Sequence, residues 1–143
     1  MFLGEFEHSV DSKGRVAIPA KFRSQLETGL VVTCGFERCL QVYPMTTWNV
    51  LSQEVSKLPL SELDARNLRR LLFARAFDTE LDKQGRILLP AQLRTYAGLT
   101  ETAIFAGMNT YLEIWATDSW TATFAEIAKQ GSAIAKTMIS LGI

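Results

Sequence analysis

The chain of 143 residues is poor in the side chains that carry metal and redox chemistry. It has two cysteines, Cys34 and Cys39, and a single histidine, His8. A structural zinc site usually takes four Cys or His ligands, which these residues do not supply, so no metal and no cofactor is expected. Buried apolar cysteine is the common role for such residues, and a disulfide is not expected in a reducing compartment. No run approaches the roughly 18 apolar residues of a membrane span. The opening MFLGEFEHSV lacks the basic region and apolar core of an export signal, so the expected location is the cytoplasm. Also missing are a phosphate-binding loop of the form G-x-x-x-x-G-K-[ST] and any Ser-His-Asp or Cys-His arrangement. Asp11 and Asp82, as paired carboxylates, would each be kept ionised by an arginine four residues on. Catalysis is not expected. Net charge is absent too, with 15 basic residues against 15 acidic ones.

What the chain does contain is a repetition. DSKGRVAIPAKFR (11–23) returns 71 residues later as DKQGRILLPAQLR (82–94), with Asp, Gly-Arg, Pro-Ala and Arg at matching places. Phe6 matches Phe77 at the same offset. With one inserted residue, Gly35 aligns with Gly107 and LQVYPMTTW (40–48) with LEIWATDSW (112–120). Internal repetition governs the architecture before any element is assigned. At 48% hydrophobic and 21% charged the chain has the composition of a soluble globular protein. A unit of roughly 50 residues buries little apolar surface alone, so two copies are expected to share one core about a pseudo-twofold.

Each copy reads as strand, turn, strand, short helix, two strands, longer helix. EFEHSV runs into D-S-K-G, where Asp at the first position and Gly at the fourth suit a tight hairpin turn. RVAI follows as a strand. Pro19 fits the first turn of a short helix, and LVVTC and CLQVY are β-branched and apolar enough for strands. Trp48, Leu51, Val55 and Leu58 lie on one side of a helix that Pro59 ends. Between the copies, Ser61 with Asp64 suits a capping pair, and Leu60, Leu63, Leu68, Leu71 and Leu72 form an apolar stripe. A last helix starts near Asp118, and SAIAKTMISLGI extends as a further helical tail.

The charge that sums to zero is unevenly placed. Residues 11–23 carry a balance of +3 and residues 82–94 one of +2, so the remainder carries −5. Strand alternation puts Val16 and Ile18, like Ile87 and Leu89, toward the core and leaves Arg15 and Arg86 outside. Asp11 and Asp82 either accept backbone N–H groups in the turn or hold the following arginine; both roles preorganise a guanidinium on a rigid ribbon. A two-stranded ribbon fits the DNA major groove, where arginine is best able to read guanine edges. Arg23 and Arg94 end the short helices, where a cation suits the helix dipole. Arg66, Arg69, Arg70 and Arg75 read as a solvated or subunit-pairing face, and the tryptophans and tyrosines as core or interface residues.

The doubled D-x-x-G-R-h-h-h-P-A-x-h-R pattern, where h is apolar, the opening MFLGEF and the L-x-h-Y/W…W segments resemble the MraZ family of bacterial transcriptional regulators. Single copies resemble the swapped-hairpin units of the AbrB and SpoVT type. The resemblance implies an α+β fold with two intrachain units of this kind packed into one β-barrel-like core, with flanking helices. The units are residues 1–58 and 77–128, joined by a helix over 59–76 and followed by a tail over 129–143. It implies a sequence-specific DNA-binding repressor of its own operon in the division and cell-wall gene cluster, nucleoid-associated and reading short direct repeats in double-stranded DNA as a ring-shaped homo-oligomer. The expected DNA contacts are Lys13, Arg15, Lys83 and Arg86, with Asp11, Gly14, Asp82 and Gly85 setting the geometry. Lys83 stands one turn position earlier than Lys13, and Gln84 takes the place of Lys13. The alternative reading is an antitoxin-type module that binds a partner protein.

Overall fold

A computed structural model describes residues 1–143. The elements follow the repeat. In the first copy β1 (Glu5–Ser9) and β2 (Arg15–Ala17) lead to a 3-10 helix over Ala20–Leu26. Then come β3 (Leu30–Cys34), β4 (Leu40–Pro44) and α1 (Met45–Ser56). α2 (Leu63–Phe73) joins the copies. The second copy comprises β5 (Phe77–Thr79), β6 (Arg86–Leu88), α3 (Ala91–Ala97), β7 (Thr102–Gly107), β8 (Leu112–Trp115) and α4 (Thr117–Lys129). A last helix, α5 (Gly131–Ile139), occupies the tail.

The copies are interleaved. β1 pairs with β7 of the second copy, and β5 pairs with β3 of the first. β4 pairs with β8, and β2 with β6. The main sheet has the order β1-β7-β8-β4-β3-β5, all antiparallel. Exchanging the two copies turns this order into its own reverse, so the strand arrangement is twofold even though the sequence is not. The α+β class is as expected, but the core is not a barrel. The sheet is open, with β1 and β5 as its edges, and the β2–β6 ribbon forms a separate two-stranded sheet. Nor do β1 and β2 form a regular hairpin, since the only bridge between these segments joins Val10, just past β1, to Val16. Both strands find longer partners in the other copy.

One core joins the ribbon, the sheet and the short helices. Val16 and Ile87 face each other across the ribbon and point inward, together with Ile18, Phe22, Leu89 and Leu93. They meet Leu30, Val32, Leu40, Val42, Phe105, Leu112 and Ile114 from the sheet. Phe22 packs edge-on to Phe6 and tilted to Phe2, with ring centroids 5.5 and 5.4 Å apart. Cys34 and Cys39 are free and buried. Burial drives both thiols' pKa values up, which keeps them protonated and inert.

Local expectations fail where tertiary contacts supply a better partner. Pro19 and Pro90 precede their helices as extended cap residues. α1 ends at Ser56, before Pro59 is reached. The Ser61–Asp64 cap does not form; Glu62 occupies the cap position of α2 without a side-chain bond. Of the predicted stripe only Leu72 is buried, with Leu68 and Leu71 half-buried, while Leu60 and Leu63 stay exposed. α2 is instead tied to the sheet by Thr33, whose hydroxyl donates to the Leu72 carbonyl at 2.6 Å. Arg66 donates to the Leu60 carbonyl and Arg69 to those of Ser56 and Leu58. These two arginines brace the α1–α2 connection, which gives half of the basic group expected to be solvated or subunit-pairing a structural task.

Candidate nucleic-acid interface

The repeated tips are built alike. Asp11 Oδ1 accepts the backbone N–H groups of Lys13 and Arg15 at 3.0 and 2.9 Å, and its Oδ2 accepts Arg15 Nε at 2.7 Å. Asp82 does the same with Gln84 N at 2.9 Å, Arg86 N at 2.8 Å and Arg86 Nε at 3.0 Å. The two roles weighed for these aspartates therefore operate together, one on each oxygen. Gly14 and Gly85 close the turns at φ +85 and +74, a left-handed backbone that glycine adopts without strain. They donate to the Asp11 and Asp82 carbonyls.

The backbone N–H of each arginine, its side chain and the second turn N–H hold Asp11 and Asp82 below the ordinary carboxylate range, the backbone bond most strongly. A carboxyl whose folded pKa lies below its unfolded value contributes stability above the unfolded value, and that contribution is lost as pH falls through the folded one. Comparing the parent with Asp11→Asn/Asp82→Asn by urea unfolding should therefore give a constant stability difference above about pH 5 that shrinks below about pH 4. A difference that stays constant at low pH would mean the ionised carboxylates do not close the turns. His8 is partly buried, and that burial, reinforced by Arg23, lowers its pKa. It remains neutral at pH 7.

The ribbon register decides what the tips present. Arg15 stands opposite Leu88, and Ala17 opposite Arg86. All four therefore share the outward face, while Val16 and Ile87 fill the inward one. Arg15 and Arg86 are diagonal neighbours, in a geometry that typically sets such residues about 7–8 Å apart, with their Cβ atoms somewhat closer. Their side chains are 36% and 32% exposed, and only Nε of each is engaged. Lys13 and Lys83 are exposed without ion pairs. All the residues expected at the site thus lie on one ribbon and its two turns. Lys21, by contrast, lies over the Phe6 and Phe22 rings.

Three neighbours escaped the sequence reading. Leu88 is 55% exposed on the arginine face, yet in an alternating strand it reads simply as the residue between Ile87 and Leu89. Arg23 lies over Gly85 of the opposite tip, and Arg94 over Gly14. The matched spacing of these arginines in the two copies was visible; their crossing to the other copy was not.

The family model described as "MraZ protein, putative antitoxin-like" matches residues 1–71 and again 72–141. The chain belongs to the MraZ family. Among its relatives is a protein named transcriptional regulator MraZ from Herpetosiphon aurantiacus, 50% identical over the whole of both chains. Another of that name, from Thermomicrobium roseum, is 48% identical over 99% of both, and one from Pediococcus pentosaceus is 42% identical over the full length of each. The family model matches twice, once over each copy of the repeat, so each tip belongs to the MraZ pattern in its own right.

Proposed function

We propose that this protein is a sequence-specific DNA-binding regulator of transcription that works at the nucleoid and represses its own operon by binding short direct repeats upstream of it. The observation that carries the reading is the common outward face of Arg15 and Arg86 on one two-stranded ribbon, each guanidinium anchored through Nε by its aspartate. The major groove is about 12 Å wide and admits such a ribbon, and arginine reads guanine O6 and N7 there. As diagonal neighbours on that face, Arg15 and Arg86 can enter the same stretch of groove together. Lys13 and Lys83 supply phosphate contacts from the turns, and Leu88 and Ala17 offer apolar contact to a thymine methyl. The names of the full-length relatives support regulation of transcription. No helix is long and apolar enough to cross a membrane.

One neutral chain makes few phosphate contacts, and its affinity alone is modest and salt-sensitive. We therefore propose a homo-oligomeric ring. α4 and α5 carry Phe124, Ile127, Ile134 and Met138, with Leu141 in the turn just beyond α5, all exposed, an apolar stripe left uncovered within the chain. Head-to-tail contact through this arm closes into a ring if the rotation permits. A ring presents every ribbon in the same sense along its rim, which suits direct rather than inverted repeats, and avidity multiplies the single-head affinity. Phe124→Asp/Ile127→Asp should leave the fold intact and convert the assembly to monomers by light scattering. An unchanged mass would exclude this arm as the contact. Within this reading, residues 1–58 and 77–128 are two swapped-hairpin repeats realised in one chain, 59–76 links them, and the tail 129–143 extends the assembly arm that begins in α4.

The test is fluorescence anisotropy with DNA from upstream of the protein's own gene and an unrelated duplex, each at several salt concentrations. Tight, steeply salt-dependent binding that prefers the upstream DNA is expected; equal binding to both duplexes would overturn sequence-specific regulation. The antitoxin-type reading draws on the same exposed arm and on the description of the family model. It is favoured if the arm holds a different protein at fixed stoichiometry while no DNA is bound.

A further inference from the structure

Arg23 and Arg94 do not end the short helices as the sequence suggested: each is the fourth of seven residues, in Ala20–Leu26 and Ala91–Ala97, and each side chain reaches back toward the helix start, so the helix dipole does not account for it. Arg23 Nε donates to the Ile18 carbonyl at 2.9 Å, and Arg94 Nε to the Leu89 carbonyl at 3.0 Å. The N–H groups of Ile18 and Leu89 reach across the molecule: Ile18 N donates to the Gly85 carbonyl at 2.9 Å, and Leu89 N to that of Gly14 at 2.8 Å. Each arginine therefore stands where one copy's strand end meets the other copy's turn. A Cβ on Gly14 would lie 2.7 Å from Arg94 Nε and 2.8 Å from its Cζ, and a Cβ on Gly85 would overlap Nε and Cζ of Arg23. The missing side chains are the space the guanidinium groups occupy.

Only Nε is engaged. The Nη atoms of Arg23 and Arg94 have no hydrogen-bond partner in the protein, neither residue forms an ion pair, and both residues are half-exposed. They are not buried either, since the one buried side-chain nitrogen without a partner is Arg69 Nη1. Beside each tip there is thus a guanidinium fixed at one edge, its other edge not fully buried and without a partner or counter-charge. The placement is crosswise and occurs twice, Arg23 beside the second tip and Arg94 beside the first. A ribbon lying in the major groove has a phosphate backbone along each side, and a planar fork of donors matches phosphate geometry.

We infer that Arg23 and Arg94 are backbone-phosphate contacts of the DNA interface and at the same time the positioning residues that lock each tip to the opposite copy. The inference rests on the DNA-binding reading above. The pair adds two cations to Lys13, Arg15, Lys83 and Arg86 and none of the base readout, since phosphate contacts fix register without carrying sequence information. Removing one phosphate-neutralising cation makes the slope of log affinity against log salt shallower by about 0.9, whereas a purely positioning role leaves that slope untouched.

The experiment compares the parent with Arg23→Gln/Arg94→Gln on the upstream duplex and the unrelated duplex across a salt series. The expected result is weaker binding to both duplexes by a similar factor, with the slope shallower by about two for each ribbon engaged. An unchanged slope, whatever the affinity, would overturn the phosphate assignment. To keep the question open to refutation if the variant misfolds, the parent is also treated with phenylglyoxal with and without DNA, and modified arginines are mapped by mass spectrometry. Shielding of Arg23 and Arg94 together with Arg15 and Arg86 supports the inference. Shielding of Arg15 and Arg86 alone refutes it while leaving the DNA reading in place. A parent that binds neither duplex removes both.

Discussion

Arg15→Ala/Arg86→Ala is expected to lower affinity for the upstream DNA by roughly 30-fold to 20,000-fold while the melting temperature moves by no more than a few degrees. The size follows from two bidentate arginine–guanine contacts, each worth about 1–3 kcal/mol, at about 1.4 kcal/mol per factor of ten. The fold is spared because the substitutions reach outward. Val16 and Ile87, the adjacent residues that face the core, are unchanged, and Asp11 and Asp82 keep their bonds to the turn N–H groups. The local cost is one partly exposed ion pair per tip, a kind of interaction that solvent screening leaves weak. Arg15→Lys/Arg86→Lys separates charge from geometry. Lysine keeps the cation but not the planar fork, so the salt slope should persist while preference for the upstream DNA over the unrelated duplex collapses. Full preference in the lysine variant would mean that the tips act as point charges and that sequence is read elsewhere.

Gly14→Val should destabilise the protein by about 3 kcal/mol or more, a large part of the stability of a domain this size. A residue other than glycine held at positive φ costs about 1–3 kcal/mol, and a β-branched side chain tolerates φ +85 worst. A second cost comes from the packing. Any Cβ at this position meets Arg94 and approaches the Leu89 carbonyl at 2.9 Å, and that carbonyl belongs to the other copy's strand end. Gly98→Ala isolates the backbone cost, because Gly98 has φ +66 with nothing within 4 Å of a Cβ. Urea unfolding of the two variants should give a far larger loss of stability at Gly14 than at Gly98. Equal losses would mean that the close approach of Arg94 contributes nothing to joining the copies.

Much of this protein is legible in its residues. The turn chemistry of D-S-K-G and D-K-Q-G depends on interactions within five residues, and the glycines take the left-handed conformations their positions require. The alternation in RVAI and RILL sorts inward from outward residues before any partner strand is known, and burial follows it at Val16, Ile18, Ile87 and Leu89. The repeat predicts matching elements in both halves, which the strand and helix order bears out. Local pattern was least informative between the copies. There the Ser61–Asp64 cap gave way and Leu60 and Leu63 were left outside, because α2 is held by Thr33 and its own arginines rather than by a leucine stripe.

Pairing between the copies is the part that only the tertiary structure decided. Two repeats with the same apolar pattern bury the same residues whether each strand pairs within its own copy or with the other, so periodicity cannot distinguish the two. The interleaved arrangement takes β1 to β7, β5 to β3 and β2 to β6. It leaves the sheet open, gathers Arg15 and Arg86 on one face of one ribbon, and brings Arg23 and Arg94 across to the opposite turns. The composition and spacing of the tips are properties of the chain. Their union into a single surface is a property of the fold, since it requires contacts between residues about 70 positions apart whose partners are chosen by packing and hydrogen bonding rather than by local preference.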